Sequence, residues 1–362
     1  MSVRRKLAGV AAGAVGVAVA GTAVGVARRR RVIAHRGAGD ETVFGSLRSA
    51  PITVVADDGV PLHVEVDEFT DRPSGARRRT VDADGQRLTV VFVHGYALNL
   101  DCWHFQRAGY RGLVRAVYYD QRSHGRSGRS AEGNATIDQL GKDLKQVLDD
   151  VVPEGPVVLI GHSMGGMTII ALAEQHPELF GDRVVGVGLI STTAGKVDVH
   201  RILLPVLPSA LGGRFSSRVV ATLARGHRTV DWGRRMGRSV STVATDALAF
   251  GDDVPASYVD FVDEMLSSTP FEVVAEFFPN FGALDKYETL NALSEVPTSI
   301  ICGTDDKLTS IGHSRKLHSR IDGSTLLECE GAGHMVIMER HDQVNAALDQ
   351  LIAAAAERVD TR

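Results

Sequence analysis

Hydrophobic and polar positions along this chain follow two rhythms. Leu62-His63-Val64-Glu65-Val66 is apolar at every second position, the pattern of a strand with one buried face. Together with Ile52-Thr53-Val54-Val55 and the turn Asp57-Asp58-Gly59 it predicts a hairpin at one edge of a sheet. Leu88–Val93, interrupted only by Thr89, and Ala116–Tyr119, Val157–Ile160 and Val184–Ile190 are continuous apolar runs, as central strands covered on both faces are. Between them Ile137, Leu140, Leu144, Val147, Leu148 and Val151 recur on one helical face. Strands alternating with helices predict an α/β fold, a mostly parallel central sheet with helices on both faces.

The rhythm breaks from about residue 196 to 288. Strand signals vanish, amphipathic segments such as Tyr258–Leu266 take over, and Phe271, Phe277, Phe278 and Phe281 cluster. This stretch predicts a helical cap insertion, most of whose aromatics fasten it to the core while one or two face a ligand. The α/β pattern resumes at Pro297–Cys302, continues through Ser324–Glu328 and ends in an amphipathic helix from about Asp342 to Glu357. The expected division is a core in two parts, residues 51–195 and 289–362, with the cap at 196–288 between them. Residues 32–50, rich in Arg, Gly and Ser, read as a linker, and Arg77-Arg78-Arg79 as a solvated loop.

Residues 1–31 predict something different. An uncharged run from Leu7 to Ala27 lies between Arg4-Arg5-Lys6 and Arg28-Arg29-Arg30-Arg31. At ~1.5 Å per residue it is just long enough for a bilayer core of ~30 Å, and is expected to be a single membrane anchor. Arg28 to Arg31 with Arg36 outweigh the basic N-terminal flank, which places the remainder in the cytoplasm. Ala18-Val19-Ala20 as a cleavage site, with export, is the alternative.

Composition adds exclusions. A formal net charge of −4 gives no support for a nucleic-acid partner. Cys102, Cys302 and Cys329 are odd in number and have no metal-binding spacing, so neither a disulfide framework nor a metal site is expected, and no cofactor. They read as reduced residues packed in the core.

The candidate chemistry begins where the apolar run to Ile160 meets Gly161-His162-Ser163-Met164-Gly165. Gly-x-Ser-x-Gly between a strand and a helix predicts a tight turn that lifts the serine hydroxyl out of the sheet. The Met164 N–H would open the helix, where unpaired donors favour an oxyanion. Two further polar clusters follow strand ends: Gly303-Thr304-Asp305-Asp306 and Gly331-Ala332-Gly333-His334. Either aspartate could serve as the acid.

With His94-Gly95-Tyr96 after the third strand, these motifs stand in the order serine, aspartate, histidine, and residues 51 to 357 resemble the α/β-hydrolases, in particular the capped esterase, lipase and peroxidase-like branch. The resemblance implies Ser163 as nucleophile, His334 as general base and an acid that orients it. It favours Asp306, three residues after the strand's closing glycine, with Asp305 the alternative. It implies the Tyr96 and Met164 backbone N–H groups as the oxyanion hole. His94 is expected to pack beneath that loop, and His162 to point away from the nucleophile. His124 lies in Asp120-x-Arg122-x-His124-Gly125, a loop in which Ser123 replaces the commoner glycine. A serine at the elbow argues against epoxide hydrolase and haloalkane dehalogenase chemistry. The implied activity is hydrolysis of a small-molecule acyl ester; cofactor-free perhydrolysis or acyl transfer is the alternative, and a non-catalytic ligand-binding protein the reading from another class.

Overall fold

The computed structural model describes residues 25–36, 43–70, 88–131, 133–197 and 238–360. Among the described residues eight strands form one sheet: β1 (Pro51–Val55), β2 (Pro61–Asp67), β3 (Thr89–Val93), β4 (Arg115–Tyr119), β5 (Val157–His162), β6 (Val184–Ile190), β7 (Thr298–Gly303) and β8 (Thr325–Cys329), in the order β1-β2-β4-β3-β5-β6-β7-β8. The expected hairpin is the antiparallel pair β1 and β2 at one edge; β2 also pairs antiparallel with β4, and every other pairing is parallel.

Because side chains alternate along a strand, the apolar runs feed two cores. Val90 and Phe92 enter one with α1 (His104–Tyr110) and α8 (His341–Asp360), while Val91 and Val93 enter the other with α2 (Ile137–Val151) and α3 (Met164–Gln175). The α2 stripe read from the sequence is buried, and Thr136 caps that helix by accepting the Gln139 N–H at 3.1 Å. The α7 helix (Ile311–His318) contributes Leu317 to the second core. The three cysteines are buried free thiols.

Among the described residues between β6 and β7 stand three α-helices: α4 (Arg238–Ala249), α5 (Ala256–Ser268) and α6 (Phe271–Ala283). A third apolar cluster, including Met164, Met167, Val273, Phe277, Phe278 and Phe281, joins α6 to the end of the sheet above β5. Residues 198–237 of the expected cap and the arginine-rich loop at 77–79 fall outside the described residues.

The expected membrane anchor, with the localisation built on it, is corrected. Among the described residues no helix is long and apolar enough to cross a membrane. The last residues of the uncharged run, 25–27, belong to a helix that continues through Arg28–Arg31 to residue 34. This helix is docked on the protein. Ile33 is buried in the main core, and Arg29 and Arg36 pair with Asp246 of α4, Arg29 Nη2 standing 3.1 Å from Asp246 Oδ2. Arginines read as a bilayer flank thus find acidic partners in the fold. Residues 1–24 lie outside the described residues.

Candidate active site

Strand β5 delivers the chain into α3 through Ser163, which holds φ at +54° and ψ at −119°. So tight a passage requires absent side chains on either side. A Cβ on Gly165 would sit 2.0 Å from the Val93 carbonyl oxygen, and one on Gly161 would sit 2.5 Å from the Gly165 carbonyl carbon. The turn is tied into the sheet by the Ser163 N–H, which donates to the Ile190 carbonyl at 2.9 Å, and by the Thr192 hydroxyl, which donates to the Ser163 carbonyl at 2.6 Å.

Beside that serine the fold assembles residues far apart in sequence. His334 Nε2 lies 2.9 Å from Ser163 Oγ, and His334 Nδ1 lies 2.9 Å from Asp306 Oδ2. Since a carboxylate only accepts, Nδ1 carries the proton, and Nε2 is left to accept from the serine hydroxyl. Asp306 is buried yet well supplied with donors. The Leu308 and Thr309 N–H groups reach Oδ1 at 2.8 and 2.9 Å, and the Thr309 hydroxyl reaches Oδ2 at 3.0 Å. Burial pushes its pKa upward, but the attraction of His334 and these hydrogen bonds outweigh it, leaving the pKa below the ordinary carboxylate value. Asp305 is exposed, and its N–H is bonded to the Ala332 carbonyl at 2.9 Å. Of the two aspartates, only Asp306 meets the imidazole.

Of the two expected oxyanion donors, Met164 directly follows Ser163. Met164 is the first residue of α3, so its N–H has no partner within the helix. The loop carrying Tyr96 presses against the serine, since a Cβ on Gly95 would lie 3.2 Å from Ser163 Cβ. Helix α6 and the turn before it hold this loop: the Tyr96 hydroxyl donates to the Val274 carbonyl, and the Thr269 hydroxyl to the Ala97 carbonyl at 3.0 Å.

Three buried histidines frame the site in neutral form. His94 donates from Nδ1 to the Gly95 carbonyl at 2.7 Å and accepts the Gln121 N–H on Nε2 at 2.9 Å, which keeps it beneath the loop; burial pushes its pKa down to about 4. His124 is similarly lowered to about 3 by burial. His162 has a connection absent from the sequence reading. Its Nε2–H donates to the His334 carbonyl at 2.9 Å, and burial lowers its pKa to about 3. His334 lies 172 positions away and meets the last residue of β5 only in the folded chain, so the motif carried no signal of it. Cys302, near Asp306, is a buried thiol whose pKa burial raises to about 12.

Ser163 and His334 open into a cavity of about 380 Å³, walled largely by apolar side chains such as Met167, Val262, Leu266, Phe278 and Phe281. Two of the four clustered phenylalanines therefore face the cavity, while Phe277 is buried against His124.

Residues 90–347 match the Alpha/beta hydrolase family. The chain belongs to that family. It is 26% identical to a non-heme chloroperoxidase of Kitasatospora aureofaciens, over 72% of this hydrolase and 89% of the relative. It is also 26% identical to a monoacylglycerol lipase of Mycolicibacterium smegmatis, over 67% of this chain and 78% of that one. A thermophilic esterase from Thermogutta terrifontis has a similar fold, with a TM-score of 0.64 at 22% identity, covering 85% of this hydrolase and all of the esterase chain.

Proposed function

We propose that this hydrolase cleaves carboxylic esters of small molecules through an acyl-enzyme. The observation that carries this reading is the continuous line Ser163–His334–Asp306, with both contacts at 2.9 Å. Ser163 Oγ attacks the ester carbonyl carbon as its proton passes to His334 Nε2. Asp306 orients the ring and stabilises the imidazolium. The negative charge on the former carbonyl oxygen is met by the Tyr96 and Met164 N–H groups, where one donor is typically worth ~3 kcal/mol in the transition state. Collapse expels the alcohol, which takes the proton from His334; water activated by the same imidazole then releases the acid and restores the serine. In this assignment residues 51–195 and 289–362 supply the reacting groups, residues 196–288 are the cap, and the apolar cavity favours an apolar ester.

The likeness to a chloroperoxidase supports a second outcome at the same acyl-enzyme, in which hydrogen peroxide replaces water and the product is a peracid. Steady-state cleavage of nitrophenyl esters from acetate to palmitate by the full chain separates the two when peracid is assayed with and without added peroxide. Serine-dependent turnover, abolished in Ser163→Ala, is the expected result. A folded Ser163→Ala protein that retains full turnover would overturn the assignment.

A further inference from the structure

One wall of the cavity differs from the others. Ser241, Ala244, Thr245 and Leu248 recur at helical spacing, so one stripe of α4 faces the cavity. The C-terminal end of this stripe adjoins the reacting groups, for the Ala249 carbonyl accepts the N–H of Met335, the residue after His334, at 2.8 Å. At ~1.5 Å of rise per residue, Thr245 lies about 6 Å and Ser241 about 12 Å farther along the helix from that end. The apolar Leu248 comes first and the hydroxyls follow.

Behind the hydroxyls stands Asp263 of α5, only 8% exposed. Ser241 Oγ donates to its Oδ1, Thr245 Oγ1 donates to the same oxygen at 3.1 Å, and Thr242 Oγ1 donates to Oδ2 at 3.3 Å. Three donors around two oxygens suit a carboxylate, which only accepts. Buried charges ordinarily face an opposite charge. Among the described residues Asp263 has no Lys, Arg or His partner and is held by hydroxyls alone.

This has a direct consequence for a ligand. A hydroxyl has a single proton, and those of Ser241 and Thr245 are committed to Asp263. What remains for the cavity's contents is lone pairs, backed by negative charge. An acceptor or a bare methyl group gains nothing there, whereas an O–H or N–H donor does.

We propose that this hydrolase takes esters in which an apolar chain ends in a hydrogen-bond donor, a hydroxyl or an ammonium, received by Ser241 and Thr245 with Asp263 behind them. The proposal rests on the ester-cleaving reading above and names the substrate class of the same site.

Two ester series test it on the full chain. Nitrophenyl octanoate, decanoate and dodecanoate, each with its terminal hydroxyl and amino derivative, carry the donor on the acyl side. Acetates of the matching alcohols, diols and amino alcohols carry it on the leaving side. The quantity read is the kcat/KM of the donor-terminated ester divided by that of its plain counterpart. In a cavity with no polar wall a terminal donor is penalised, so the ratio falls below one. The expected ratio exceeds one, up to ~10-fold as one hydrogen bond permits, at one or more lengths in at least one series. It should drop below one in Thr245→Val or Ser241→Ala, each protein being its own reference. A larger gain for the amino esters, lost in Asp263→Asn, would identify the ammonium; a larger gain for the hydroxyl esters would identify the neutral donor. Ratios below one at every length in both series, or a preference unchanged in both hydroxyl variants, overturn the proposal. Melting-temperature shifts of Ser163→Ala with the plain and hydroxylated acids and alcohols make the same comparison without turnover. Absence of ester cleavage therefore counts against the reaction alone, while equal or smaller shifts with all hydroxylated ligands count against the donor site.

Discussion

Ser163 holds a backbone conformation, φ +54°, that costs an L-residue roughly 1–2 kcal/mol, and the surrounding hydrogen bonds to Ile190 and Thr192 keep it there. The flanking glycines announce such a turn because no other residue fits, which is why the elbow was legible in the sequence. Asp305 and Asp306 are a different matter. Two adjacent aspartates after a strand are equivalent in composition and pattern; what separates them is that the Asp305 N–H is committed to Ala332 while the Asp306 side chain turns inward to three donors and His334. The resemblance favours Asp306 by its spacing from Gly303, but physically only a tertiary neighbour distinguishes the pair. Replacing Asp306 with Asn removes the acceptor that fixes the imidazole proton on Nδ1, and a wrongly oriented base can lose ~10⁴ in rate. Asp306→Asn is therefore expected to cut kcat by about that factor with the ester's KM little changed. Asp305→Asn should stay within about threefold of the parent. Steady-state kinetics of the two purified variants compares them directly, and equal losses would show that the orienting acid has been misassigned.

At the scale of elements, periodicity recovered the strands and long helices because each buries a regular face, but it misread the helix over residues 25–34. Hydropathy sees an uncharged run followed by arginines. It cannot see that Asp246 lies 217 positions from Arg29, on a helix whose opposite stripe lines the cavity. The Asp246 side chain is 2% exposed and that of Arg36 is 8% exposed, so their contact is a buried ion pair rather than a surface one. Removing one member of such a pair leaves an uncompensated charge, and the usual cost is 3–5 kcal/mol. Arg36 keeps a second partner, since Asp253 Oδ1 is 2.5 Å from its Nη2, and the Arg29 side chain is half exposed. Both moderate the loss. Asp246→Ala is thus expected to destabilise the protein by about 2 kcal/mol, read as a lower urea midpoint at unchanged slope. An unchanged midpoint would mean that the N-terminal helix contributes nothing to holding α4.

For the molecule as a whole, buried arginines join the hairpin edge to the parallel sheet and its helices, and they set its response to acid. Arg107 of α1 reaches Glu65 Oε2 at 2.8 Å and grips both oxygens of Asp67 at 2.7 and 2.9 Å, with all three residues at most 3% exposed. Burial alone would raise both carboxyl pKa values, but the bonds from Ser49, His63 and Arg107 prevail and both are lowered. Asp58 is lowered to about 2, chiefly by its hydrogen bond to Arg122, whereas burial pushes up Asp143 on the same guanidinium. A lowered folded pKa contributes stability that is fully present above the unfolded value near 4 and is lost as pH falls through the folded value. Asp143, shifted the other way, binds its proton more readily when folded and opposes part of that loss. With three lowered groups against one raised, the melting temperature should change little between pH 7 and 5 on their account and fall steeply below pH 4. Arg107→Met tests the cause, because it removes the buried cation from Glu65 and Asp67, leaving Asp67 only the part-exposed Arg111 at 4.0 Å as a cationic partner, and is expected to turn their shifts upward. That variant should be the less stable at pH 7, and its melting temperature should rise as pH is lowered from 7 to 5, where the parent's is flat. Should both proteins fall in parallel on acidification, the acid response resides outside the Arg107 cluster.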